Sequence, residues 1–263
     1  KINCPILLVF WPGYGVASMA SYNQYETIGA PCIQTKIRRN LGQFIISEAL
    51  IFRLFTLRAR MKIIDKKELL DRIDDLGEIV LELGCGHRKR HPEAIGIDLR
   101  DYPGVDIVGD ALDVLQRFPE NSVSAVYSYH FFEHLDNVAF YMTELDRTMK
   151  KKARLQVVTP HFSNPYYYSD HTHQTPFGLY SFAYFCKNVF FRRQVPDYHP
   201  ALDFELISVD LVFKSSPPFY LRWGIKKAFQ FIFNLNRYMM ELYEENFCYL
   251  IPCYEIRYAL VKD

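Results

Sequence analysis

The sequence lacks a charge excess of either sign and has no long apolar run. Its 263 residues carry 31 Lys and Arg against 30 Asp and Glu, a formal net charge of +1. This balance argues against nucleic-acid binding, which usually requires a basic domain. No run of eighteen clearly apolar residues occurs, so the sequence predicts no transmembrane helix. The hydrophobic content of 49% is typical of a packed core and argues against disorder.

Closely paired cysteines are also missing. The six cysteines form neither a C-x-x-C pair nor a compact disulfide framework, so we expect free thiols and a cytoplasmic protein. Residues 1–20 include a short apolar stretch, but Pro12, Gly13 and Gly15 interrupt it. We therefore expect no secretory signal there.

The chain divides near residue 61. Residues 1–60 show no clear period apart from a helical pattern over 41–58, whereas 61–74 has good helical spacing of apolar residues. We expect the working domain to cover 61–263. Residues 1–60 are then an appendage, or even translated upstream sequence.

From residue 78 onward, strand and helix patterns alternate. This alternation predicts a doubly wound, mostly parallel, seven-stranded Rossmann-like α/β sheet. The irregular segment 161–200 is rich in Tyr, Phe, His and Pro, which is typical of a lid or binding insertion. The predicted strands cover 78–83, 94–98, 105–109, 123–129, 153–160, 204–213 and 254–262, and the predicted helices cover 111–118, 137–151 and 219–246.

A Gly-x-Gly turn, Gly84 to Gly86, follows the first of these strands. Such a turn lets backbone N–H groups approach a ligand. The third glycine of a dinucleotide fingerprint is absent, and only seven residues separate Gly86 from Ala94. This gap leaves little room for a pyrophosphate-binding helix.

Two acids follow the turn at successive strand ends, Asp98 and Asp110. Ligands of open α/β sheets bind at these carboxyl ends. Taken singly, the turn is equally well explained as a tight turn, and each acid as a helix cap. Together they favour a site for a nucleoside without a pyrophosphate.

The motifs resemble those of class I S-adenosylmethionine-dependent methyltransferases. "LELGCG", "GIDLRD", "VGDALD" and "FPENSVSAVYSYHFFEHLDN" are similar to four motifs of that family, and the resemblance covers about 61–165. The short gap and "PHFSNPYYYSDHTHQTPFGLYSF" resemble a subgroup of sugar and polysaccharide biosynthesis. The resemblance implies S-adenosylmethionine as cofactor. We expect the acceptor to be a hydroxyl or similar group of a sugar, glycolipid or small metabolite.

The resemblance also implies the cofactor contacts, residue by residue. They are Glu82, Gly84, Cys85 and Gly86 at the methionine moiety, Asp98 at the ribose, Leu99, Asp110 and Ala111 at the adenine, and Tyr129 facing the sulfonium.

A hydroxyl acceptor holds a proton, and histidine is the commonest base at neutral pH. The candidate catalytic residues are therefore His130, His161 and His173. Their neighbours in the sequence suggest where the acceptor binds. Aromatic rings stack on sugar faces, and the candidate acceptor contacts are Tyr166, Tyr168, Asp170 and His171.

The "SDHTH" stretch also allows a metal interpretation, with Asp170, His171 and His173 as ligands. No helical i, i+4 pair and no cysteine accompanies them, so we expect no metal. Residues 88–90, Arg-Lys-Arg, are expected to form a solvated rim.

The helical region 219–246 mixes basic and aromatic residues. This pattern fits peripheral membrane contact and fits a helix packed on the sheet equally well. Oligomeric state stays open. Two other functions are weighed: a nicotinamide-dependent dehydrogenase, and a catalytically inactive nucleotide-binding scaffold.

Overall fold

Eight strands form one mixed sheet in the computed structural model, which describes residues 62–263. The order across the sheet is β1-β4-β3-β2-β5-β6-β8-β7. Neighbours from β4 to β6 are parallel, whereas β1, β8 and β7 each run antiparallel to a neighbour. The strands are β1 Ile64–Asp65, β2 Ile79–Leu83, β3 Ile95–Asp98, β4 Ile107–Val108, β5 Val123–Tyr129, β6 Met149–Pro160, β7 Phe204–Val212 and β8 Glu255–Lys262.

The strand that sequence patterns missed is β1, so the predicted count of seven was wrong. Its two residues pair with β4 at the edge of the sheet. The helix predicted over 61–74 is replaced by β1 and a 3-10 helix over Leu70–Asp75. The Asp65 carboxylate accepts hydrogen bonds from the N–H groups of Lys67 (3.1 Å) and Leu70 (2.7 Å), which favours a turn instead. The pattern over 41–58 and the proposed appendage lie outside the described residues.

Residues 62–263 contain four α-helices: α1 Ala111–Leu115, α2 Val138–Thr148, α3 Tyr220–Phe233 and α4 Arg237–Asn246. The single long helix predicted over 219–246 is therefore two. Asn234 ends α3 because its side chain forms two hydrogen bonds to the Leu211 backbone. Its Oδ1 accepts from the Leu211 N–H at 2.8 Å, and its Nδ2 donates to the Leu211 carbonyl at 2.7 Å. Asn236 then caps α4 by accepting from the Met239 N–H at 3.0 Å.

The segment 161–200 is irregular, as predicted, with 3-10 turns at Tyr167–Ser169 and Ala183–Phe185. Phe177, Leu179 and Phe182 are buried and join the main hydrophobic core. This part of the insertion therefore contributes to packing, and its movement as a lid stays a prediction. Within residues 62–263, no helix combines the length and apolarity needed to cross a membrane.

Candidate functional site

The glycine turn lies where β2 ends, beside the carboxyl ends of the parallel strands β3 and β5. Gly84 and Gly86 have φ of +66° and +60°, a backbone conformation that side chains disfavour. A Cβ on Gly84 would lie 2.7 Å from the Cβ of Phe131. The turn thus needs glycine at both positions for conformation, and at Gly84 for space as well.

Asp98 joins this turn to the end of β3. One carboxylate oxygen accepts from the Gly86 N–H at 2.8 Å, and the other accepts from the Arg100 N–H at 2.9 Å. Each oxygen of an ionised carboxylate has a second lone pair, so both can still accept from ligand hydroxyls. Leu99, which follows, is 54% exposed. The carboxylate and the apolar side chain are therefore placed together at the site edge.

Asp110 serves as the N-cap of α1, where its side chain accepts from the Leu112 N–H at 2.9 Å. The Tyr141 hydroxyl donates to the same oxygen at 3.3 Å. Ala111 is the buried first residue of the helix. The cap role of Asp110 is thus present in the structure, and a contact with adenine through the same carboxylate stays a prediction.

The connection from Gly84 to Ala94 contains turns and bends instead of the usual helix. Glu82 is only 2% exposed, and its carboxylate accepts hydrogen bonds from the backbone of this connection. Both carboxylate oxygens lie 3.0 Å from the Arg90 backbone nitrogen, and one also accepts from the His91 N–H at 2.9 Å. Contact of this carboxylate with the methionine moiety stays a prediction. Its observed partners are backbone groups of the short connection.

Lys89 also differs from its prediction as part of a solvated rim. Its ammonium donates to the Asp106 carboxylate at 2.7 Å and to the Ala94 carbonyl at 2.6 Å, and it is mostly buried. Burial raises the pKa of Asp106, but hydrogen bonds from Lys67 and Lys89 outweigh it and leave that pKa below its usual value. This ion cluster fixes the far end of the connection.

Cys85 lies within the glycine turn, and its thiol is buried. The thiol packs with Val105 and Val108 in a small apolar cluster. Burial raises its pKa to about 12, with nearby carboxylates adding to the effect. A contact of Cys85 with the methionine moiety stays a prediction.

Arg90 and His91, which sequence reasoning did not place at the site, both contact Tyr129. The Tyr129 hydroxyl and His91 Nε2 share a hydrogen bond of 2.9 Å, and the Arg90 guanidinium lies 4.1 Å from the Tyr129 ring centroid. The His91 ring also stacks on Tyr127 with centroids 3.6 Å apart. The unusually short connection was the one sequence signal that Arg90 and His91 would lie beside the strand ends.

His130 follows β5 as predicted, with φ of +55°. Its Nδ1 lies 3.3 Å from a Glu133 oxygen, and its Nε2 lies 3.7 Å from a Glu255 oxygen. Hydrogen bonds to these two carboxylates raise its pKa to about 9. The raised pKa favours the protonated ring at neutral pH, and a role of His130 as general base stays a prediction.

His161 is fully buried, and both ring nitrogens are engaged. Nε2 donates to Glu244 at 2.9 Å, while Nδ1 accepts from the Ser163 N–H at 3.1 Å and lies 2.8 Å from the Ser163 hydroxyl. These contacts tie the end of β6 to α4, and a catalytic role of His161 stays a prediction.

The remaining predicted residues lie in the segment 161–200. Tyr166 and Tyr168 are strongly exposed and Tyr167 is buried, in and beside a 3-10 turn. Asp170 and His171 are also exposed. His173 is partly buried, and its ring lies 4.9 Å from that of His134.

Residues 81–157 match the family model described as a methyltransferase domain. This range covers 77 of the 263 residues and contains the glycine turn, Asp98, Asp110 and β5. The match supports the predicted class, a class I S-adenosylmethionine-dependent methyltransferase, and with it the cofactor.

Solved structures give a weaker likeness. A SAM-dependent methyltransferase from Archaeoglobus fulgidus is 17% identical, with 75% of this chain and 92% of that chain covered and a TM-score of 0.44. Phosphoethanolamine N-methyltransferase 2 of Haemonchus contortus, solved with S-adenosyl-L-methionine, is 13% identical, with 86% and 59% covered and a TM-score of 0.42. Likeness at this level assigns no activity to this chain. A comparison with curated proteins finds no match.

Proposed function

We propose that this chain transfers a methyl group from S-adenosylmethionine to a small-molecule or glycan acceptor. The observation that carries the proposal is the Asp98 carboxylate, held 2.8 Å from the Gly86 nitrogen beside the exposed Leu99. That arrangement offers acceptors for two ribose hydroxyls next to an apolar surface for a base. The methyltransferase-domain match over 81–157 supports the same cofactor.

The cofactor contacts we propose follow the strand ends. Asp98 accepts from the ribose hydroxyls, Leu99 packs on the adenine, and Asp110 with the Ala111 N–H contacts its edge. The backbone at Gly84 to Gly86 borders the methionine moiety, and Tyr129 faces the sulfonium. These groups lie at the carboxyl ends of neighbouring parallel strands, where ligands of such sheets bind.

The acceptor we propose is a hydroxyl or similar group of a sugar, glycolipid or small metabolite. The exposed rings of Tyr166 and Tyr168 and the exposed Asp170 and His171 supply stacking surfaces and hydrogen-bonding groups of the kind that sugars use. S-adenosylmethionine supplies an electrophilic methyl group when bound. The chain's part is to align the acceptor with it and to exclude water. A hydroxyl acceptor also gives up its proton to a base as the new O–C bond forms.

Calorimetry with three ligands tests this proposal against the alternatives. We expect S-adenosylmethionine and its demethylated product to bind the full chain and NAD not to bind, because no helix follows the glycine turn to hold a pyrophosphate. Binding of NAD alone would favour a dehydrogenase. Binding of neither sulfur nucleotide would overturn the proposal, whereas binding without turnover of any tested acceptor would favour a scaffold.

A second proposal is peripheral contact of α3 with an anionic lipid surface. Leu221 is 82% exposed and Phe231 is 70% exposed, with Trp223 half-exposed between them. Basic side chains of Arg222, Lys226 and Lys227 lie on the same helix. A helix with exposed apolar residues and flanking cations is suited to the headgroup region of a membrane.

Sedimentation with vesicles tests this contact. We expect the full chain to sediment with vesicles rich in phosphatidylserine at low salt, and the Leu221→Glu variant to bind roughly 10–100-fold more weakly, the equivalent of losing one buried apolar side chain. The matched control is Phe140→Glu, which alters an exposed aromatic residue on α2. Equal sedimentation of both variants and the parent chain would remove the proposal.

A further inference from the structure

Glu133, His134 and His173 converge beside the end of β5. One ligand atom from each residue lies within 4.8 Å of the other two. Glu133 and His134 belong to the 3-10 turn after β5, and His173 comes from the segment 161–200. Two backbone N–H groups next to His173, those of Gln174 and Thr175, donate to the Glu133 carbonyl at 2.7 and 3.1 Å. The two segments are therefore clamped together at this cluster.

The Glu133 carboxylate is the buried member, with 1% of its side chain exposed. One oxygen lies 3.3 Å from His130 Nδ1. The other, Oε2, is buried without a hydrogen-bond partner among the described residues. Buried carboxylate oxygens are normally paired or bound to a metal, because their desolvation is otherwise uncompensated. A cation at this oxygen would supply the missing interaction.

The two imidazoles are held in the tautomer that metal binding requires. His173 Nδ1 lies 2.9 Å from the Tyr167 carbonyl, which can only accept. His134 Nδ1 lies 3.0 Å from the Thr172 hydroxyl oxygen, and that hydroxyl donates its own hydrogen to Asp170 at 2.6 Å. Both Nδ1 atoms therefore carry the proton, and Nε2 keeps a lone pair. Histidines that bind metals are typically oriented by such a second hydrogen bond.

We propose that Glu133, His134 and His173 bind a divalent transition-metal ion of the zinc type. Two imidazoles and one carboxylate are a ligand set that zinc uses in sites with an open fourth position. A tetrahedral zinc ion with bonds of about 2.0–2.2 Å holds its ligands about 3.4 Å apart, so separations of up to 4.8 Å shorten by at most about 1.4 Å on binding. Asp170, with an oxygen 3.7 Å from His173 Nε2, is a candidate for the fourth ligand.

This set differs from the one considered from the sequence. The "SDHTH" stretch suggested Asp170, His171 and His173, whereas His171 is exposed and outside the cluster. The other two members of the cluster are Glu133 and His134, about forty residues earlier in the chain than His173. The proposal also changes the role of His173, from a candidate base to a metal ligand.

Metal titration of the full chain tests the site without any cofactor, so the result is independent of the proposed methyl transfer. We expect chelator-treated protein to bind one zinc ion in calorimetry, and one cobalt ion with the absorption bands of four-coordinate Co²⁺. Loss of an outer-shell partner weakens metal binding by roughly 10–100-fold. His134→Ala and His173→Ala each remove a ligand and should weaken zinc binding by more than that. His171→Ala is the matched control and should bind zinc as the parent does.

Three results would overturn the site: no stoichiometric zinc binding by the parent chain, a six-coordinate cobalt spectrum, or loss of binding in His171→Ala with retention in His134→Ala. The Glu133→Gln variant tests whether a loss of zinc binding is caused by misfolding. It keeps the size of the side chain and should still lower zinc affinity, while its far-ultraviolet circular dichroism matches that of the parent.

Discussion

Replacement of Asp98 by alanine should weaken S-adenosylmethionine binding by about 3–6 kcal/mol, or roughly 10²–10⁴-fold. The proposed carboxylate accepts from two ribose hydroxyls, and each charge-assisted hydrogen bond contributes about 1.5–3 kcal/mol. The variant also frees the Gly86 N–H that Asp98 holds at 2.8 Å, so the glycine turn loses its tie to β3. Isothermal calorimetry with the cofactor and its demethylated product measures the loss.

The matched control for this change is Asp101→Ala. Asp101 lies three residues further on, is largely exposed, and pairs with Lys66 on the surface at 2.5 Å. Such pairs contribute at most about 1 kcal/mol to stability and contact no proposed ligand. Cofactor affinity should therefore stay unchanged in this variant. An Asp98→Ala protein that is folded and binds as tightly as the parent would show that Asp98 is not the ribose ligand.

The Glu82→Ala change should lower the free energy of unfolding by about 1–3 kcal/mol. It leaves the N–H groups of the exposed Arg90 and the partly buried His91 without their acceptor, and an unsatisfied buried donor costs about 1–3 kcal/mol. Native proteins are stable by only about 5–15 kcal/mol, so this is a large fraction. Urea unfolding followed by circular dichroism measures the effect.

Glu93→Ala is the control for Glu82, because it removes a carboxylate from the same connection. Glu93 is largely exposed, and one of its carboxylate oxygens lies 3.5 Å from His91 Nδ1. Its removal should change stability by no more than about 0.5 kcal/mol. If Glu82→Ala instead keeps its stability and loses cofactor affinity, the carboxylate contacts the ligand, as predicted for the methionine moiety.

Much of the sheet was predictable because its signals are local. The largely apolar run of β2 identifies a buried parallel strand, and Gly84, Asp98 and Asp110 mark where strands end. The alternation in β8 likewise predicted an antiparallel strand, which pairs with β6 and β7. These features depend on residues that are neighbours in the sequence.

The failures share the opposite property, since each depends on a distant partner. The break between α3 and α4 follows from Asn234 bonding Leu211, and β1 exists because β4 offers it an edge. Histidine contacts were least predictable. Glu133 raises the pKa of His130 together with the distant Glu255, and His161 bonds to the distant Glu244. A residue type and its spacing name the possible chemistry, whereas its protonation depends on these contacts.

The position of β8 has a consequence for how the chain is made. β8 lies between β6 and β7, yet it is synthesised after both. In the described part of the chain, β7 forms its ladder with β8 alone. While a ribosome is still adding residues 213–254, β6 and β7 therefore each lack the partner strand β8 and have an unpaired edge. Exposed edges of this kind pair readily with other chains, so the emerging protein is most open to misassembly just before β8 leaves the exit tunnel.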